Sequence, residues 1–257
     1  MKETIKHQLS GRNAIVTGGS TGIGREIVKK LVEQGAYVNF NSTEKSEAAA
    51  EQLIQETQGP KNEERAIWSP GDISEKKTIS EILAISRILG KVDILVCCAG
   101  ITRDGAFIKQ TDEDFDSVYN IKVTSARRLT QVVLRDMTRA QWGRIVYISS
   151  VSADGSPWQV NYAMANSALE GLAKSVSEGY SSRGIAANVI KPALVDSKLT
   201  RPPLLKEVPR QKIIDQMPIG RVLTPEEIAD VAMMLITQKA PIITGHSLYA
   251  DGGMRRI

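Results

Sequence analysis

Short apolar, β-rich runs alternate with segments of helical period from one end of the chain to the other, and this alternation limits the fold more than any other feature. The runs are Asn13–Val16, Ala36–Phe40, Arg65–Ser69, Val92–Cys98, Arg144–Ser149, Ala186–Ile190 and Ser247–Ala250. Most are continuously apolar, as strands covered on both faces should be. Helical segments lie between them: Ile23–Gln34, Glu47–Glu56, Thr78–Leu89, a long stretch over Asp112–Arg139, and another from about Tyr162 to Ser181. In the long stretch Phe115, Val118, Ala126, Leu129, Val133 and Met137 recur at helical spacing behind Thr111, a natural N-cap. Thr224-Pro225-Glu226-Glu227 reads as a capping box with proline at the first helical position. Strands alternating with helices, joined by right-handed crossovers, predict a doubly wound parallel α/β sheet of about seven strands with helices on both faces. The 257 residues fit a single domain over 1–257.

Several function classes drop out. No apolar run approaches the roughly 18 residues that a membrane span needs, and the start, MKETIKHQLSGR, has no signal-peptide h-region. A cytoplasmic protein with no membrane association is expected. The histidines are His7 and His246, far apart in sequence, so neither a His-rich metal centre nor a Ser-His-Asp triad is expected. Cys97 and Cys98 are adjacent on a strand, their side chains on opposite faces, so they should not bridge each other. The net charge of +4 is interleaved with acids, which predicts a solvated surface and no nucleic-acid partner.

Chemistry concentrates first in AIVTGGSTGIG, which runs from the first strand into the first helix. Gly18, Gly22 and Gly24 stand where the backbone must turn tightly, approach a ligand and pack on the sheet. A pyrophosphate placed there meets free N–H groups and the positive end of the helix dipole. Strand before and helix after is the context that gives such glycines meaning.

Thr17-Gly18-Gly19-Ser20-Thr21-Gly22-Ile23-Gly24 resembles the TGxxxGxG cofactor motif of the short-chain dehydrogenase/reductases, and the resemblance runs from about Arg12 to Asp251. It implies a single-domain Rossmann fold binding a nicotinamide cofactor. Gly71-Asp72-Ile73 matches the acidic turn that contacts adenine in the family. Cys98-Ala99-Gly100 occupies the N-A-G position, and Asn120 that of the active-site asparagine. Ser149-Ser150 ends the fifth strand, Tyr162 opens the next helix, and Met217–Arg221 with Thr244–Gly253 complete the pattern. The resemblance assigns Gly18, Ser20, Thr21, Gly22, Ile23, Gly24, Asn41, Ser42, Asp72, Ile73, Cys98, Ala99, Gly100, Tyr162, Pro192, Val195 and Ser197 to the cofactor. Cys98–Asp104 is similar to the AGITRD stretch of 3-oxoacyl-ACP and acetoacetyl-CoA reductases, which implies a β-ketoacyl thioester substrate in fatty-acid or polyketide biosynthesis.

The second strand ends Asn39-Phe40-Asn41-Ser42, without the carboxylate that bonds the ribose 2′-OH in NAD-binding relatives. Asn41 and Ser42 could donate to a 2′-phosphate and Lys45 could add charge, so NADP(H) is expected over NAD(H), which the segment still admits. For catalysis the resemblance makes Tyr162 the proton donor, Ser150 the group that orients the carbonyl, and Asn120 a support for helix geometry and proton relay. The family motif is YxxxK, and here it reads Tyr162-Ala163-Met164-Ala165-Asn166. The missing lysine would bind the nicotinamide ribose and lower the tyrosine pKa. Asn166 can bond a ribose hydroxyl but carries no charge, so a slowed enzyme is expected, with Lys191 or Lys198 as possible replacements. Cys98 for asparagine, Pro192-Ala193 for Pro-Gly, and a Ser150–Tyr162 interval one residue short of many relatives keep two alternatives open. One is a weak or silent cofactor-binding subunit of an acyl-processing hetero-oligomer; the other is a dehydrogenase of a different secondary alcohol.

Residues 197–219 form a substrate loop in the family, and Leu204, Leu205 and Val208 there suit an acyl chain. Arg183, and less so Arg139, fall where relatives contact acyl carrier protein. The substrate is therefore expected on that carrier or on CoA. In relatives the long helices build a dimer interface, so a homotetramer or a hetero-oligomer is expected.

Overall fold

The computed structural model describes residues 7–58, 64–197, 200 and 210–254. All seven expected strands form: β1 Asn13–Thr17, β2 Tyr37–Ser42, β3 Ala66–Pro70, β4 Ile94–Cys97, β5 Gly143–Ile148, β6 Ile185–Pro192 and β7 Ser247–Ala250. They pair entirely in parallel in the order β3-β2-β1-β4-β5-β6-β7. The order reverses between β1 and β4, which opens a crevice beyond the carboxyl ends of those two strands.

Alternate residues of each strand feed two cores. Ala14 and Val16 of β1 point to one face with Val38, Phe40 and Val96, under α1 (Gly22–Glu33), α2 (Glu47–Glu56) and α8 (Pro225–Thr237). Ile15 points to the other with Leu95, Ile145 and Tyr147, under α3 (Lys76–Ile88), α5 (Ser125–Ala140) and α6 (Val160–Tyr180). This two-faced burial explains the unbroken apolar runs.

The stretch expected as one helix over Asp112–Arg139 is interrupted. α4 (Asp112–Tyr119) passes through a π-turn, Asn120–Thr124, before α5 begins. A π-turn adds a residue to the repeat and swings the following side chains, and such turns concentrate at functional sites. Thr111 caps α4 as expected, in a full capping box with Asp114. The short α7 (Arg210–Ile214) had no sequence signal.

The second capping box also forms, with Thr224 Oγ1 accepting from Glu227 N–H and Glu227 accepting from Thr224 N–H at 2.8 Å. Arg221 adds two bonds to the same carboxylate, at 2.9 and 2.6 Å. Arg221 first, and then the Thr224 amide, hold the Glu227 carboxyl down at about 2. A depressed folded value means the contribution is fully present above the ordinary carboxylate range and is lost as pH falls from there through about 2. Melts of wild type and Glu227→Gln between pH 5 and pH 2 should converge as the pH falls; a constant gap would refute the cap's ionic part.

Candidate active site

The glycine turn is built by close approach. A Cβ on Gly18 would lie 2.9 Å from the Ala99 backbone, one on Gly24 would lie 2.2 Å from the Gly18 carbonyl, and one on Gly19 would strike Phe40 at 2.6 Å. Gly18 and Gly22 also hold positive φ, at 66° and 55°. Thr17 completes the turn from below: its Oγ1 accepts from both Cys98 N–H and Ala99 N–H at 3.1 Å. This hydroxyl ties β1 to the loop after β4. Thr21 stands at the N-cap of α1 with no side-chain bond to the helix, so the Gly22 and Ile23 amides are left for a ligand, while the Gly24 amide donates to Cys98 Sγ. Ser20 is buried and Ile23 packs on the core. A turn too tight for a Cβ at Gly18, Gly19 or Gly24, backed by uncapped helix amides, fits the pyrophosphate of a dinucleotide. On the far wall Ser197 approaches Gly22, Pro192 ends β6, and Val195 is buried beside Leu223.

The adenosine side departs from expectation in part. Both N–H groups of Asn41 are taken by backbone carbonyls, Ser69 at 2.9 Å and Gly71 at 3.1 Å. Asn41 therefore staples β2 to the end of β3 and has no donor left for a 2′-phosphate. The Ser42 hydroxyl accepts from Trp68 Nε1 at 2.9 Å and keeps its own proton to give, and Lys45 is exposed nearby in the turn Glu44–Ser46. The Asp72 carboxylate accepts from Ser74 N–H at 2.8 Å. The Ile73 side chain packs in the core, so only its backbone can face a nucleobase.

Around Tyr162 the small apolar cluster of Val118, Val123 and Ala165 fixes the ring, and its hydroxyl has no hydrogen-bond partner among the described residues. The AGITRD loop is lashed to the start of α6 by Asn161 Nδ2 to Arg103 O at 2.9 Å and Gln159 Nε2 to Asp104 at 3.0 Å. Ser150, half-buried just after β5, caps the turn Val151–Asp154: its Oγ accepts from Ser152 N–H and pairs with Ser152 Oγ. Asn120 starts the π-turn, but its side chain is exposed and accepts from Thr124 Oγ1 at 3.2 Å. Asn166 is fully buried, its Nδ2 donates to the Tyr162 carbonyl at 2.8 Å, and its Oδ1 has no partner. The helix takes an N–H of its amide, so Oδ1 is the atom left to accept from a ribose hydroxyl.

Three basic residues also stand otherwise than expected. Lys191 is neither solvated nor free to serve Tyr162. It is 1% exposed and bonded to Glu170 at 2.8 Å, Asp154 at 2.5 Å and Tyr249 Oη at 3.2 Å. Lys198 and residues 201–209, with the prolines and leucines of the substrate loop, lie outside the described residues. Arg139 and Arg183 are exposed, but they stand where β5 and β6 begin, whereas Ser150 follows the other end of β5. At about 3.3 Å per residue the six residues of β5 separate those ends by about 20 Å, so the arginines do not rim this chain's cleft. The residue that sequence reading passed over is Lys122, 5% exposed, whose Nζ donates to the Ile148 carbonyl at 2.8 Å and lies 5.5 Å from the Tyr162 ring centre.

Asn41→Ala should lower stability by about 1–3 kcal/mol, because two buried carbonyls lose their donor, while leaving the NADPH-to-NADH preference unchanged. Denaturant melts and fluorescence titrations with both cofactors check this; a collapse of the preference would return Asn41 to the cofactor site. Gly24→Ala should abolish cofactor binding in the same titration.

A family model described as enoyl-(acyl carrier protein) reductase matches residues 18–255. The 3-oxoacyl-[acyl-carrier-protein] reductase FabG of Pseudomonas aeruginosa is 37% identical over 96% of this chain and 98% of its own, and that of Escherichia coli is 35% identical over 95% and 97%. Among solved structures, a blue fluorescent protein from a metagenomic library, in complex with NADPH, superposes with a TM-score of 0.86 at 29% identity, covering 97% of this chain and 100% of its own. A short-chain dehydrogenase/reductase family protein superposes with a TM-score of 0.84 at 27% identity, over 96% and 98%. With the reversed strand order, the glycine cradle and Tyr162 opening α6, these matches place the chain in the short-chain dehydrogenase/reductase family.

Proposed function

We propose that the protein is an NADPH-dependent oxidoreductase that reduces the keto group of a 3-oxoacyl thioester, carried on acyl carrier protein or CoA, to the 3-hydroxyacyl thioester. The observation that carries this is the Tyr162 hydroxyl, held by a buried ring yet unengaged by any described residue. The relatives' names favour a keto over an enoyl substrate, since both carry 3-oxoacyl reductase activity in their titles.

Bound NADPH supplies the hydride for the carbonyl carbon. The backbone amides of the Gly18–Gly24 turn and the start of α1 would hold its pyrophosphate, the Ser42 hydroxyl and Lys45 would meet the 2′-phosphate, and Pro192 and Ser197 would close the nicotinamide side. Tyr162 gives its phenolic proton to the carbonyl oxygen, and Ser150 steers that oxygen toward it once its hydroxyl turns from Ser152. Positioned acid catalysis of this kind contributes about 10²–10⁴-fold. Asn120 contributes through the π-turn it begins.

The chain reads as one catalytic domain, and Leu204, Leu205 and Val208 of the substrate loop suit an acyl tail. Exposed Tyr119 on α4 and Met164 on α6 support assembly through these helices into a homotetramer or a hetero-oligomer. Among the described residues no helix is long and apolar enough to cross a membrane. Two free cysteines suit the reducing cytoplasm, where we place the reaction.

Initial rates of NADPH oxidation with an acetoacetyl thioester test the reading. Wild type should turn over, and Tyr162→Phe should lose at least about 10²-fold in kcat with NADPH binding intact. A wild type that binds NADPH but leaves the thioester unreduced would overturn it.

A further inference from the structure

Among the described residues Lys122 is a buried cation without an anion. Its side chain sits in the π-turn between α4 and α5, 5% exposed, and its hydrogen bond is to a neutral carbonyl, Ile148 O. An ammonium has three N–H groups, so two are left without a partner among the described residues. No carboxylate lies within ion-pair distance of it there, in contrast to Lys191, which has two. Burying a charge with nothing to neutralise it is unfavourable, and such groups collect at functional sites.

Its surroundings say what it is for. The ammonium stands over the Tyr162 ring, 5.5 Å from the ring centre. It packs on Gly100 so closely that a Cβ there would lie 3.2 Å from Nζ. On the same helix as Tyr162, Asn166 keeps a buried Oδ1 with no donor. A phenol that gives a proton to a carbonyl oxygen becomes a phenolate, and a cation beside it favours that change.

We propose that Lys122 is a positioning residue that acts through Tyr162: its ammonium, delivered from the π-turn, supplies the positive charge beside the phenol that residue 166 does not. This rests on the reductase reading above. The charge comes from a different helix but reaches the same ring, so the site keeps its electrostatics although its motif lacks the lysine.

The test uses the full chain with NADPH and an acetoacetyl thioester. Lys122→Met should lower kcat by about 10- to 10³-fold, the span expected when a nearby cation is lost, with the NADPH dissociation constant changed less than about threefold. Lys122→Arg should retain much of the activity. The double variant Lys122→Met/Asn166→Lys, which moves the charge back to α6, should regain activity over Lys122→Met. Activity of Lys122→Met within threefold of an active wild type would overturn this proposal and leave the reductase reading standing. So would a double variant that binds NADPH but stays as slow as Lys122→Met, since the loss would then be structural. A wild type that binds NADPH and does not turn over would overturn both.

Discussion

The cleft depends on how closely β1 and β4 can approach at the point where the sheet changes direction. Successive crossovers leave these neighbours on opposite sides, so nothing fills the space beyond their carboxyl ends except what the loops put there. Gly18 against the Ala99 backbone, and the Thr17 hydroxyl taking both the Cys98 and Ala99 amides, close the floor of that space. With the floor closed, the first turn of α1 points its free amides into the crevice rather than into protein. The glycines are thus packing residues first, and the anion site is the consequence.

Two buried lysines show what the protein does with charge. Lys191 is enclosed but has two carboxylates and a phenol around it, which together raise its pKa although burial acts the other way. It joins β6 to α6 and to the turn after Ser150, and it serves the scaffold. Lys122 has no such company. Burying an ion away from any counter-charge is unfavourable, and among the described residues the one hydrogen bond of Lys122 is to a neutral carbonyl. The balance makes sense when the missing anion is transient, formed on Tyr162 as its proton leaves.

The sheet was legible because covered parallel strands leave unbroken apolar runs, and the helix starts because Thr111 and Thr224 carry their partners three residues on. What failed were side-chain directions. Asn41 has the right type for a phosphate contact, but the neighbouring β3 offers two carbonyls at its end and takes both donors. The Asn166 amide N–H turns back on its own helix, and Lys191, a possible replacement for the missing lysine, is claimed by carboxylates distant in sequence. Lys122 did leave a signal: it falls four residues after Val118 and four before Ala126, within the apolar stripe of the long helix. A lysine inside a buried stripe is the sequence mark of a charge kept for a purpose, although the π-turn that aims it has no such mark.

A catalytic charge is defined by distance and dielectric, not by the helix that carries it. The Lys122 ammonium stands 5.5 Å from the Tyr162 ring centre, on the face of the ring that carries the reacting hydroxyl's developing charge. The α6 position is one turn from Tyr162 along a rigid helix, which makes it easy to specify in sequence. The π-turn reaches the ring from the side, with Gly100 leaving room for the ammonium and Ile148 anchoring it. On this proposal the asparagine at 166 and the lysine at 122 are two parts of one electrostatic arrangement around Tyr162.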